Sequence, residues 1–548
     1  GSTFNGAGTL TNVAAKTLTL SQTNTINAAV VNAGTIASGV PPFFSTTTIT
    51  GAFSTVAGSL VRVTAGGSNS ATFTVTNGFT NHGTIELTKA NDPNGASTFA
   101  VTNGTLVNAT DGTITSAAGT GGIRNLNAQL DNQGVLNVLQ FLTIARAGAA
   151  HVNSGTIAVT GNNVDFTALN PAQGLTNSGT IDIATGRTMF LNAGPLANAA
   201  GGTIAGGGAL DLEGNVAFSN AGSVTVALAR IRSAFTSTGN FAPTTVEFSQ
   251  TIHFIPVGAA YSYTHVRLLT GLTFEGSVTI AGNVTVGGLS SRLNVVAQTI
   301  TVNGDFATEG GGFLTMQNAG GILSVGGNAR FGGATTNGQL TAGMLRVAGN
   351  VIQAGGNNAA FAASGSHLTV LDGTAAQSVS FATPGTATTQ SHFQHLEILN
   401  SSSAGVTLAG AVIANGQLRT PVGPTTTRRI SSTSGQSIQA AGLNADGVVF
   451  DGVPLRVVNG QPLARFDNAV FQNMNPATTQ LRLDRRDDVA TFNNVAFQTV
   501  PTTGVYLHLV DTDLVAPLFT LTMQGTQPPN HGGRVIESVA GQLQGWAF

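Results

Sequence analysis

The chain has no cysteine, a single tryptophan, three tyrosines and only 8% charged residues in 548. Each shortage removes a class of protein. Without cysteine there is no disulfide and no thiolate metal site. With 21 basic against 23 acidic side chains there is no field to draw nucleic acid or an anionic membrane surface, so neither partner is expected. No run of 18 apolar residues is present to cross a bilayer as a helix. The near absence of Trp and Tyr counts against stacking on sugars. The chain opens on Gly1-Ser2 with no basic and apolar leader, so any secretion signal is expected to have been cleaved, or Gly1-Ser2 to be a cloning remnant.

Low charge here does not mean disorder, because 41% of the residues are hydrophobic. What fills the sequence is a repeat. VNAGTI at Val31, TNHGTI at Thr80, VNSGTI at Val152 and LTNSGTI at Leu175 are near copies, and LVNATDGTI, LDNQGVL, LANAAGGTI and FSNAGSV are degraded ones. From Asn81 through Asn108, Asn132, Asn153, Asn177 and Asn198 to Asn220 the steps are 27, 24, 21, 24, 21 and 22 residues. Past residue 270 the phrase changes, yet Asn283, Asp305, Asn328, Asn350 and Asp372 still follow at 22, 23, 22 and 22. Two phrases with one period indicate that coil circumference is what the sequence keeps.

Between the turns, TLTL, ATFTVT, TIDI and SVTV alternate with period two, the pattern of half-buried strands. Asn-Gly pairs at Asn5, Asn77, Asn94, Asn103, Asn303, Asn337, Asn415 and Asn459 punctuate these strands where a positive φ is cheap. Coils of about 21–27 residues stacked in parallel predict an all-β, right-handed parallel β-helix, a β-solenoid that grows by adding coils. Three segments are expected: 1–240 with N-x-G-T-I coils, 241–420 with G-N or G-D coils, and 421–548, a less regular β-rich continuation or terminal module.

The repeated Asn32, Asn81, Asn108, Asn132, Asn153, Asn177, Asn198 and Asn220 are expected to form a structural ladder of stacked amides. Ile36, Ile85, Ile114, Ile157, Ile181 and Ile204 are expected to stack as a core column. The preceding threonines, Thr35, Thr84, Thr113, Thr156, Thr180 and Thr203, would then face outward. One recurring Thr per coil falls short of the paired ranks of ice-binding solenoids.

These NSGTI and NAGTI repeats resemble those of large secreted bacterial β-helix proteins, the haemagglutinin-like adhesins and autotransporter passenger domains. FQHLEILNSSSAGVTLAGAVIANGQL, residues 393–418, resembles segments of other long bacterial surface proteins. The resemblance implies the fold and an extracellular or cell-surface location.

No capping helix is evident at either end, and an uncapped solenoid exposes strand edges. Head-to-tail contact of such ends would give an open homopolymer. Phe4, Leu10, Tyr506, Leu543, Trp546 and Phe548 are the expected assembly residues. The leading expectation is therefore a self-assembling filament subunit. A monomeric adhesin or passenger domain and a polysaccharide-active enzyme are the alternatives.

Catalytic and metal-binding signals are thin. Asp211 and Glu213, two apart on an expected strand, would share a face as an acid and base pair could, or simply be solvated. LRLDRRDD, with Arg482, Asp484, Arg485, Arg486, Asp487 and Asp488, reads as self-neutralising surface pairs or an assembly contact. His392 and His395 would fall on opposite faces of a strand. No catalytic residue, metal site or cofactor is expected.

Overall fold

Alternating sequences of Thr, Val, Ile and Phe cannot bury both faces, so each strand needs a sheet with one face turned to a core. The computed structural model meets that need by coiling. It describes residues 1–39, 44–90, 94–120, 122–250, 252–421, 427–432, 434–498, 504–528 and 533–546. It is an all-β parallel β-solenoid of about 23 coils, without a helix among the described residues. Two compact units make it up: Gly1–Ile252 with Gly258–Thr264, and His253–Val257 with His265–Phe548.

In the first unit each coil contributes to three parallel ladders. One carries the repeated asparagines, through strands such as Ala29–Asn32, His151–Asn153, Leu175–Asn177 and Leu196–Asn198. The second carries the GTI segments, through Thr35–Ser38, Thr156–Val159 and Thr180–Ile183. The third runs through Gln22–Ile26, Ser45–Ile49 and the first halves of Ala71–Asn81 and Ser97–Asn108. Like residues stack on like. Ile157 registers with Ile181 and Ile181 with Ile204. The rings of Phe73 and Phe99 stack 5.6 Å apart at 13°, the kind of pair that adds about 0.5–1.5 kcal/mol beyond area burial.

The second unit also has three ladders. They begin at His265–Leu268, Phe254–Ile255 and Val278–Ile280 and continue coil by coil to Ala496–Phe497, Val535–Glu537 and Leu543–Gln544. Residues beyond 421 thus pair strand for strand with those before them. The irregularity of this stretch sits in its turns, where Asn468, Asn473, Asp487, Asn494 and Leu514 take positive φ.

Glycine in the N-x-G-T-I turn answers to space rather than to φ. A Cβ on Gly179 would lie 2.1 Å from the Gly155 carbonyl oxygen of the coil below, and one on Gly155 equally close to Gly134. The Asn-Gly pairs divide for the same reason. Gly104, Gly338 and Gly460 take positive φ, whereas Gly6, Gly78, Gly95, Gly304 and Gly416 do not. At several of the latter, such as Gly78 and Gly304, a backbone group of the neighbouring coil fills the space a Cβ would need.

Candidate functional surfaces

The asparagines sit at the inward end of their strands and are buried. Each side-chain amide donates from Nδ2 to Oδ1 of the asparagine one coil on: Asn81 to Asn108 at 2.9 Å, Asn108 to Asn132 at 2.8 Å, and Asn132, Asn153, Asn177 and Asn198 each to the next at 2.7 Å, ending on Asn220. Asn12 likewise donates to Asn32 at 2.7 Å. Nδ2 also donates to the main chain of the following turn, as Asn132 does to Thr156 O at 3.1 Å. From Asn81 to Asn220 donor and acceptor of each amide are thus used inside the core, which a buried polar group requires.

Two members of this ladder do not look like the others in sequence. Thr55 registers with Asn32 and gives its hydroxyl to Asn81 Oδ1 at 2.9 Å. Ser237 closes the series, accepting from Asn220 Nδ2 at 2.9 Å. The 49-residue step from Asn32 to Asn81 signalled a missing rung, but the repeated phrase is absent at Thr55.

Ile36, Ile85, Ile114, Ile157, Ile181 and Ile204 are all buried in one inward column, completed by Val61, Leu136, Val224 and Phe241. The GTI threonines face outward, with Thr180 exposed. Their column is interrupted by Leu60, Val135 and Ser223.

The expected assembly residues are placed differently from one another. Phe4 is 48% exposed in the first coil, and Leu10 is half-buried. Tyr506, Leu543 and Trp546 are buried by this chain itself. Tyr506 packs on Phe497 at 5.3 Å and its hydroxyl accepts from Arg534 Nη1 at 2.9 Å, while Trp546 meets Phe497 edge-on. These three aromatic and apolar side chains fill the core of the last coils rather than a docking surface. Phe548 lies outside the described residues.

Asp211 is no free acid. It is buried and paired with Arg230 at 3.1 Å and with Arg232. On the same ladder Asp165 accepts from Asn192 Nδ2 at 2.6 Å, and burial together with the Glu213 charge pushes its carboxyl above the usual range.

LRLDRRDD is likewise knitted together. Asp484 takes Arg456 and Arg482, each at 2.6 Å. Arg485 is 2% exposed and donates to the Ala441 and Gln461 carbonyls at 2.8 and 2.7 Å and to Asp488. The expectation of a surface residue is corrected here: Arg485 reaches from inside to main-chain carbonyls of the two preceding coils. Arg486 remains outside, 3.6 Å from Asp513. A groove of about 540 Å³ lies over Arg456, Arg482, Asp484 and Asp511. Burial opposes the Asp511 charge, but amide donors from Phe519, Leu514 and Asp513 outweigh it and hold its pKa down.

His392 and His395 do not share a strand. His392 is buried at an isolated bridge to Ala362, and His395 opens the strand His395–Ile398 on another ladder, where Nδ1 accepts from Gln417 N. Burial lowers the pKa of both. His151 and His367 are deeper still. Burial holds His151 at about 4, with Arg146 adding to the effect, and His367 at about 3, with His395 adding. Both therefore stay neutral. Comparison with known protein families, curated proteins and solved structures finds no match to this chain.

Proposed function

We propose that this chain is a structural subunit of an extracellular or bacterial cell-surface filament, joined to copies of itself head to tail. The asparagine ladder is the observation that carries the reading. It puts a buried side-chain hydrogen bond between successive coils, so pulling coils apart breaks side-chain as well as strand bonds. Parallel stacking also makes the two ends of a solenoid different surfaces, and contact between unlike ends propagates without closing.

The reading is non-catalytic: Asp211 is neutralised by two arginines and Asp484 by two more. The likeness of the repeats to adhesin and autotransporter passenger sequences supports the surface location. Negative-stain electron microscopy of the purified chain tests the proposal. Filaments that lengthen with protein concentration are expected. Monodisperse particles at high concentration and across salt overturn it in favour of a monomeric adhesin.

A further inference from the structure

The third ladder of the first unit carries a feature separate from filament assembly. Thr23, Thr46, Thr72 and Thr98 register with one another on four successive coils. Two residues along the same strands, Thr3, Thr25, Thr48 and Thr74 form a second column, which Ala100 continues. All of these positions face away from the core, between inward residues such as Phe73, Phe99, Ile49 and Val75. Asn27, Thr50, Thr76 and Thr102 fall at the next outward position of the same coils, and Thr50 Oγ1 donates to Asn27 Oδ1 at 2.6 Å.

The result is a two-dimensional array of hydroxyl and methyl groups containing no charge. Neighbours repeat at about 4.8 Å across strands and roughly 6.6 Å along them. Thr46, Thr48, Thr72 and Thr74 make no side-chain hydrogen bond among the described residues, so their hydroxyls are open to an outside partner. The inward stack of Phe73 on Phe99 holds the sheet beneath them, and such side-chain ladders are what keep a sheet from twisting.

We infer that this threonine array is a binding face for crystalline water. A peptide or a soluble glycan is recognised by unlike groups at unlike positions, whereas this face presents the same group along both directions. A ligand that profits from it must itself repeat in two dimensions. A crystalline polysaccharide repeats too, but is gripped through aromatic rings, and the array has none. Hexagonal ice offers a prism face with two perpendicular repeats close to those of the array, a surface of donors and acceptors for the hydroxyls, and recesses for the methyls.

Thermal hysteresis and partition of the purified full chain into a slowly growing ice hemisphere test this. The wild-type chain is expected to enter ice and shape crystals. Thr48→Tyr and Thr74→Tyr, each placing a bulky ring in the middle of the array, are expected to lower ice uptake at least 10-fold. Thr180→Tyr, on a different exposed face, is expected to leave it unchanged. Far-ultraviolet circular dichroism and melting of each variant establish folding, and Thr74→Lys provides a second probe of the same site if a tyrosine variant unfolds. Exclusion of the wild-type chain from ice overturns the inference, as do equal uptake by all folded variants and retention on crystalline chitin or cellulose instead of ice. None of these outcomes depends on whether filaments form.

Discussion

Asn153 donates from Nδ2 to Asn177 Oδ1 at 2.7 Å, and its own Oδ1 accepts from Asn132 at the same distance. Each asparagine is at once a donor up the stack and an acceptor from below. Replacing one therefore affects two neighbours unequally. In Asn153→Ala, Asn132 Nδ2 keeps the carbonyls of Gly134 and Thr156, but Asn177 Oδ1 is left buried with no donor. An orphaned buried acceptor costs about 1–3 kcal/mol. Amide exchange of the Ser178 and Gly179 N–H groups, which bond Asn153 O, is expected to accelerate on the order of 10–100-fold, since each 1.4 kcal/mol is tenfold. Unchanged exchange in the adjoining coils would show that the ladder adds nothing to coil cohesion.

Glycine in the turn gives a second test. In Gly179→Ala the new methyl meets the Gly155 carbonyl oxygen at 2.1 Å, so the coils must part. The expected loss is on the order of 1–3 kcal/mol, the cost of overpacking. Gly8→Ala has open space around it and no positive φ and is expected to be neutral. Urea midpoints of the two variants measure the difference.

How much of this was legible follows from what repetition can encode. The Asn and Ile columns announce themselves because one residue type serves in nearly every coil. Thr55 and Ser237 do the same work with another hydrogen-bonding group and vanish from a letter-based pattern. The threonine array was spelled out as TTTIT, TFTVT and TFAVT, but it becomes a surface only when register sets Thr46, Thr72 and Thr98 in line. Tyr506 and Trp546 were misplaced because sequence alone does not distinguish an aromatic that closes a coil's core from one that offers an end to a partner.

Arg485 yields a third prediction. Its guanidinium satisfies the carbonyls of Ala441 and Gln461 and faces Asp488 while almost fully buried. Arg485→Met keeps the stem but strips the guanidinium from the Gln461 carbonyl and leaves Ala441 O only the Gln461 N–H, and a loss of about 3–5 kcal/mol is expected on breaking a buried charged network. Arg486→Met removes only an exposed pair, worth about 0–1 kcal/mol. Chemical denaturation followed by tryptophan fluorescence reads the last coils directly, because Trp546 is the single tryptophan of the chain. Equal midpoints for the two variants would contradict the buried role of Arg485.

The two deep histidines predict an acid limb of stability and a way to tell them apart. Their folded pKa values, about 4 for His151 and about 3 for His367, lie below the ordinary 6.5, so the folded chain stays neutral there while the unfolded chain takes up protons. The stability they contribute is complete above pH 6.5, declines as pH falls, and is lost once the folded pKa is passed. At 1.36 kcal/mol per unit this is about 3 kcal/mol for His151. His151 Nδ1 accepts the Leu130 N–H at 3.1 Å, so His151→Leu flattens the acid limb but leaves a buried donor unmet and is expected to destabilise at pH 7. Among the described residues neither ring nitrogen of His367 has a hydrogen-bond partner. His367→Leu removes two stranded polar atoms, and is expected to flatten the limb while raising stability at pH 7 by about 1–2 kcal/mol. Urea midpoints of both variants from pH 3 to pH 8 check the pair. A His367→Leu chain less stable than wild type at pH 7 would mean that the imidazole is hydrogen-bonded in the core after all.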